Sequence, residues 1–343
     1  MTIIRIGLDT AKHVFQLHGV DESEQPILRR QLRRGEVERF FAKLPPTRIG
    51  LEACGAAHHW ARVLRALGHA VVLLPPQYIK PYVKRGKNDA LDAAAICEAM
   101  SRPSMRFVPI KSAEQQAALM MLRARELLVK QRTMLINAMR GHAAEFGVVA
   151  AKGPVKVREL LPRAHAAEAG VPELALEMLR LLASQLDALD GKLKMIEATL
   201  MAWHKQDAVS RCLASQPGIG VPGLDPGIGA VSFALRVSDP KLFRSGRHFA
   251  AWLGLTPKEN ATGGRSRPGR ISRQGDQSLR RLLVLGATTV IQFAKPGRAS
   301  PWLLQLLARR PRKLAAVALA NKMARILWAM MVSGELYRRP HSA

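Results

Sequence analysis

No proline or glycine interrupts the chain between Ser112 and Arg140, and beyond Pro172 the apolar residues recur in steps of three and four. A stretch that long without a breaker reads as helix, and Ser112 followed by Gln115 supplies a capping box at its start. In the second stretch Leu179, Leu182, Leu186, Leu189, Leu193, Ile196 and Leu200 fall on one stripe, the pattern of a coiled-coil seam. A seam does not name its partner, so a hairpin closed within the chain and a dimer both stay open. Gly191 lies inside this helix and costs it about 1 kcal/mol relative to alanine.

The flanks differ from this helical middle. Ile3 to Leu8 and Val14 to Val20 read as strands joined by Asp9-Thr10-Ala11-Lys12, and Arg48 to Leu51 and Ala70 to Leu74 are further short apolar runs. Helical patterns over Glu36 to Leu44 and Ala57 to Leu67 alternate with them, so an α/β domain is expected, with a misread bundle as the alternative. From Ser215 the chain turns rich in Gly, Pro and Arg and carries a short repeat, Pro217 to Gly220 and Pro226 to Gly229, which reads as a lengthened loop. The terminal stretch Leu314 to Met331 is apolar on most faces and reads as a buried helix. Three segments follow: an α/β domain over 1–110, a helical coiled-coil region over 111–210 and a small, mainly α domain over 211–343.

Charge narrows the partners. The 53 Lys and Arg residues against 26 Asp and Glu give a net +27, which calls for a polyanion, nucleic acid before anionic membrane. The longest apolar run, Ile326 to Val332, falls short of the roughly 18 residues that span a bilayer, and the N-terminus lacks the apolar centre of a signal peptide, so a cytoplasmic location is expected. Cys54, Cys97 and Cys212 form no Cys-x-x-Cys pair, and the 10 histidines show no metal-ligand spacing.

Four acids stand where chemistry is possible. Asp9 and Glu52 each close a strand, while Asp89 and Asp92 share one face at the start of an apolar helix. Carboxylates converging at one end of a sheet can hold one or two Mg²⁺ ions, the ions that clamp oxygens in phosphoryl transfer. The same residues also fit a helix cap, a turn and an exposed acid, and spacing does not choose between the two. Beside them lie Lys80, Lys84, Arg85 and Lys87, a run that suits an approaching phosphodiester or a merely solvated face. Further on, Arg265, Arg267, Arg270, Arg273, Arg280 and Arg281 are offset by one acid, Asp276, and guanidinium forks suit phosphate contacts. The Pro-Gly-Ile-Gly turns could offer backbone N–H groups to a phosphate, though such clusters are most often plain turns. With 5% aromatic residues, base stacking is not the main device.

Taken together, Gly7-Leu-Asp9-Thr-Ala-Lys12, Leu51-Glu52-Ala-Cys-Gly55 and Lys87-Asn-Asp89-Ala-Leu-Asp92 resemble the acidic motifs of the DEDD-type insertion-sequence transposases, the one-ten family and in particular its eleven-eleven branch. Gly254 to Pro257, Thr262 to Gly264, Gly269 to Ser272, Gly275-Asp276, Leu279 to Arg281 and Asn321 to Arg325 resemble that family's second, transposase motif, in the same order. The resemblance implies a RuvC-like, RNase H-type N-terminal domain, a coiled-coil insertion and a C-terminal transposase domain. It implies recombination of donor and target DNA guided by a noncoding RNA, in a dimer or tetramer, in the bacterial cytoplasm close to the nucleoid and away from membrane. By the same resemblance Asp9, Glu52, Asp89 and Asp92 coordinate Mg²⁺, and a C-terminal serine attacks the strand. Here the serine position holds Ala261, which carries no nucleophile, with Thr262 beside it as the fallback. A trapped variant, a natural inactive copy and a shift to Thr262 are the three readings, the first preferred because the other motifs are intact. Two rival functions stay open: a metal-only RNase H-like nuclease or junction resolvase, and a non-enzymatic DNA-bridging protein.

Overall fold

The computed structural model describes residues 2–83, 88–166, 170–220, 225–267, 269–296 and 299–338. Two compact units make up the chain, Met1–Ala117 and Ala118–Ala343, so the segments 111–210 and 211–343 lie largely together in the second.

The first unit is built on one sheet. β1 (Arg5–Thr10), β2 (Val14–Val20) and β3 (Pro26–Arg33) form an antiparallel meander, and β4 (Arg48–Glu52) and β5 (Ala70–Leu74) extend it in parallel, giving the order β3-β2-β1-β4-β5. β1 and β4 are buried through their centres, Ile6-Gly7-Leu8 and Ile49-Gly50-Leu51, because both faces of the central strands are covered. Short α1 (Val37–Phe41) and α2 (Ala57–Ala66) shelter one face, where Phe15 meets Trp60 edge to face at 5.0 Å. On the other face, after the four-residue α3 (Pro76–Ile79), lies α4 (Asp89–Ala99), whose first turn is capped by the Asn88 side chain accepting from the Ala90 N–H. The approach is so close that a Cβ on Gly7 would stand 2.1 Å from the Ala93 carbonyl oxygen, so only glycine lets α4 cross β1 there. No apolar alternation marks the strand β3 in the sequence. Its Arg29-Arg30-Gln31 centre hides an edge strand that buries only Leu32.

In the second unit α5 (Ala113–Ala144) follows the capping box, in which Ser112 Oγ accepts from the Gln115 N–H at 3.1 Å. After α6 (Leu160–His165) comes α7 (Glu173–Gln206). Of the stripe on α7, Leu179, Leu186, Leu189, Leu193 and Leu200 are buried, and Leu186 and Leu200 pack in clusters with Met139 and Leu122 of α5. Arg125–Glu197 and Arg132–Asp190, both at 2.6 Å, tie the same helices, so much of the seam is met within the chain. Then follow α8 (Ala208–Ala214), α9 (Pro226–Arg236), α10 (Gly246–Trp252), a hairpin of β6 (Ala261–Thr262) and β7 (Arg265–Ser266), α11 (Gln277–Gln292), α12 (Pro301–Arg309) and α13 (Arg312–Ser333).

Two expectations change here. The second Pro-Gly-Ile-Gly copy is the first turn of α9 rather than extra loop, and it presents no free phosphate cradle: Gly227 is buried, and its N–H goes to the Asp225 carboxylate at 2.7 Å. By length and composition α13 is also able to cross a membrane, although no uninterrupted apolar run in it is long enough. Its Ala316, Ala320, Met323 and Leu327 face instead into the cluster that holds Phe233 and Phe249.

Candidate active site

Asp9 rides on the central strand β1 and Asp89 and Asp92 on the first turn of α4, and each offers an oxygen to a group whose atoms all lie within 4.8 Å of one another. The i, i+3 spacing on α4 brings its two acids to one face, and the Gly7 crossing brings that face to the strand. Asp9 is pushed up to about 6 from 3.8, by burial first and then by the charges of Asp92 and Asp89, with a smaller push from Glu52, against a lowering hydrogen bond from the Thr10 backbone. Glu52, at the end of β4, is held above its usual range by burial and by Asp92, while Lys80 pulls it down. Three of the four acids thus converge, whereas Glu52 stands outside the close group and acts on it through its field.

The carboxylates fit a divalent cation. Hard oxygen ligands crowd together, and among the described neighbours that shift them Lys80 is the one cation, acting on Glu52. An ion with ligands at about 2.1 Å spans oxygens up to about 4.2 Å apart, within reach of this group after small side-chain rotations. Lys84, Arg85 and Lys87, predicted to meet the phosphodiester beside the acids, lie outside the described residues.

The second predicted site is a β-ribbon. Beyond the β6–β7 pairing, the Lys258 and Gly269 N–H groups bond across to the carbonyls of Arg270 and Lys258 at 2.9 Å, and the Ser272 N–H bonds to Thr256 at 2.9 Å. Gly263 and Gly264 make the tip with φ of 56° and 77°, the left-handed pair of a two-residue hairpin turn. At the base Gly254 and Gly275 press on the backbones of Gln274 and Trp252, and the Asn321 side chain of α13 donates to the Leu255 carbonyl at 3.2 Å. Ala261, Thr262, Arg265, Arg267, Arg270 and Arg273 are all exposed on this ribbon and the loop after it.

Arg280, predicted for the phosphate-binding set, is half-exposed, and its Nη1 donates to the Leu253 and Gln274 carbonyls at 2.9 and 2.6 Å, tying the guanidinium to the ribbon base. Asp276, the lone acid of that cluster, caps α11 through the Leu279 N–H and pairs with Arg236 at 3.0 Å, leaving the ribbon's charge uncancelled by it. Lys80, one among several bases in the sequence, gains a defined role as the cation acting on Glu52. Sequence spacing held no signal for that pairing.

Comparison with known proteins reaches both regions of the chain. The DEDD transposase model of IS110 elements matches residues 6–147, and the model described as transposase IS116/IS110/IS902 family matches residues 210–301. The chain is 54% identical over 340 residues, 98% of its length and 86% of the relative's, to a Sinorhizobium fredii protein named as transposase y4pF/y4sB. It is 49% identical over 343 residues, covering 98% of this chain and 99% of the other, to a Pseudomonas aeruginosa protein named as a family 20 transposase. With the transposase for insertion sequence element IS1111A of Coxiella burnetii it shares 38% identity over 336 residues, 97% of this chain and 91% of that one.

Proposed function

Because the chain belongs to the IS110 family of DEDD transposases, whose activity is DNA transposition, we propose that it is an RNA-guided, Mg²⁺-dependent recombinase that cuts and rejoins donor and target DNA. The observation that carries this reading is the convergence of Asp9, Asp89 and Asp92 at one end of the sheet, with Asp9 held at about 6. A sheet of three antiparallel strands continued by two parallel ones, with an acid near the end of β1, supports the RuvC-like, RNase H-type assignment. Mg²⁺ is the ion these oxygens suit, and when bound it supplies Lewis-acid stabilisation of the oxygens at the transferring phosphate. Asp9, Asp89 and Asp92 would hold that ion, and Glu52 would add its negative charge from β4.

The three-part division into 1–110, 111–210 and 211–343 follows as a functional one: acid site, helical spacer and basic ribbon. The exposed apolar residues Met120, Leu127 and Met134 on α5 and Met178, Leu181 and Met195 on α7 support a further coiled-coil contact in a homo-oligomer, dimer or tetramer. Guide RNA and DNA meet Arg265, Arg267, Arg270 and Arg273, and the basic run of Lys84, Arg85 and Lys87, which precedes Asp89 in the sequence, adds to that contact. Such a protein works in the bacterial cytoplasm, against the nucleoid.

The covalent step belongs to the ribbon, where Ala261 occupies the serine position and Thr262 carries the neighbouring hydroxyl. Ala261→Ser, with guide RNA and Mg²⁺, yields a protein–DNA adduct that survives denaturing electrophoresis; Thr262→Val in the unsubstituted chain removes any residual adduct. Absence of an adduct while RNA and DNA are bound overturns the serine-position assignment. The missing hydroxyl at Ala261 favours a second reading, a metal-only nuclease or junction resolvase. That reading calls for Mg²⁺-dependent cleavage that persists with both Ala261 and Thr262→Val and vanishes in Asp9→Ala.

A further inference from the structure

The meander leaves a polar groove that neither the acid site nor the ribbon uses. A cavity of about 900 Å³ lies between α4 and the outer strands β2 and β3. Because Gly7 faces α4, the alternation of a strand puts Asp9 on the same face. Register then carries the row outward: Asp9 stands opposite Gln16, and Gln16 opposite Gln31. With strands about 4.8 Å apart, Gln31 sits about 10 Å from Asp9 along that row. The Gln16 Nε2 donates to Gln31 Oε1 at 3.1 Å, which fixes both amides yet leaves donors and acceptors on each to spare.

Charge in the groove is asymmetric. Arg5 is neutralised by Glu24, and Arg102 by Glu98 at 2.6 Å. Arg29, on the face of Gln31 and exposed, has no carboxylate partner among the described residues, whereas Arg30 turns to the Phe40 ring at 5.1 Å. Tyr82 lines the wall with Arg102 over its ring at 5.6 Å. One free guanidinium, two amides able both to donate and to accept, and one aromatic wall together match phosphate, base or sugar edges, and a base plane.

We propose that this groove holds a single nucleic-acid strand leaving the acid cluster, with the Gln16–Gln31 amides on its base or sugar edges and Arg29 on a phosphate. The proposal rests on the acids as the strand-cutting site and adds where the strand runs. Single-stranded rather than duplex nucleic acid fits because amides read edges that pairing would occupy. Gln16, Gln31 and Arg29 are positioning residues.

The test is fluorescence anisotropy in EDTA with the full chain carrying Arg265→Ala, Arg267→Ala and Arg270→Ala, which removes the ribbon's share. Labelled oligothymidylate, oligouridylate and a duplex of equal length are the probes. Gln16→Ala with Gln31→Ala weakens single-strand binding about tenfold and leaves the salt slope unchanged. Arg29→Ala lowers the slope by about one, and Arg29→Lys restores it. A larger loss for oligouridylate assigns the amides to the sugar hydroxyl, and equal losses assign them to base edges. Affinities within about twofold for every groove variant, with unchanged melting, overturn the proposal, as does an equal loss for the duplex. Mn²⁺ titration calorimetry on the unsubstituted chain separates the premises. Bound metal with indifferent groove variants sinks the groove alone; no bound metal with responsive groove variants sinks the acid site alone.

Discussion

The acid site and the arginine ribbon solve opposite problems. The first brings like charges together half-buried, where repulsion and desolvation oppose it, so it needs a scaffold that cannot yield: a central strand, a helix, and glycine at their crossing. The second keeps like charges exposed and spread along a narrow hairpin, where water screens them and little scaffold is required. Rigid support accompanies the chemistry that needs sub-ångström placement, whereas the ribbon is anchored at its base and open at its tip.

The comparison breaks most readily at Asp9. In the Ala261→Ser chain, Asp9→Asn should lower metal-dependent strand cutting at least about a thousandfold, some 4 kcal/mol, while nucleic-acid affinity changes by less than about twofold. Retained cutting in a gel assay would mean that the acids are structural. Next comes Gly7→Ala, which drives a methyl into the α4 backbone and costs about 3 kcal/mol, seen as a lower melting temperature and lost Mn²⁺ binding. Replacing Arg265, Arg267 and Arg270 with alanine should leave melting unchanged and flatten the salt dependence of binding by about three units of slope. An unaltered slope would show that the ribbon does not touch phosphate.

Proton linkage sharpens the contrast further. Asp9 holds its proton up to about pH 6 in the folded chain and releases it near 3.8 when unfolded. Its contribution to stability is therefore full below about pH 3.8 and is lost as pH rises through about 6. The metal-free protein should melt at falling temperature across that window, with Mg²⁺ raising the melting point above about pH 6 and having little effect near pH 4. Asp9→Asn should remove both trends. The smallest effect is expected at the ribbon tip, where Gly264→Ala meets no neighbour and costs only the left-handed backbone, about 1 kcal/mol.

What the sequence discloses follows the same division. β2, β5, α2 and the starts of α5 and α7 agree with their sequence patterns to within a residue or so, because local periodicity and caps determine them. β3 escapes because an edge strand with one buried residue has no apolar alternation to detect. Asp9, Asp89 and Asp92 were legible as acids at element ends, but their convergence depends on Gly7, whose meaning appears only once α4 lies across it. The anchoring of Arg280 is hidden for a related reason: sequence does not disclose which guanidinium nitrogens the carbonyls beneath them take up.

The Asn88-capped first turn of α4 has a kinetic consequence. β1 carries ladder partners on both edges, so its amide hydrogens exchange with solvent only when the unit opens as a whole. Those at the start of α4 are held by a single residue, Ala90 by the Asn88 side chain and Leu91 and Asp92 by the Asn88 carbonyl, and exchange when that one turn frays. Two of the three converging acids sit on the part that frays and one on the part that does not, so a bound ion should slow deuterium uptake around Asp89 to Asp92 while leaving β1 as it was.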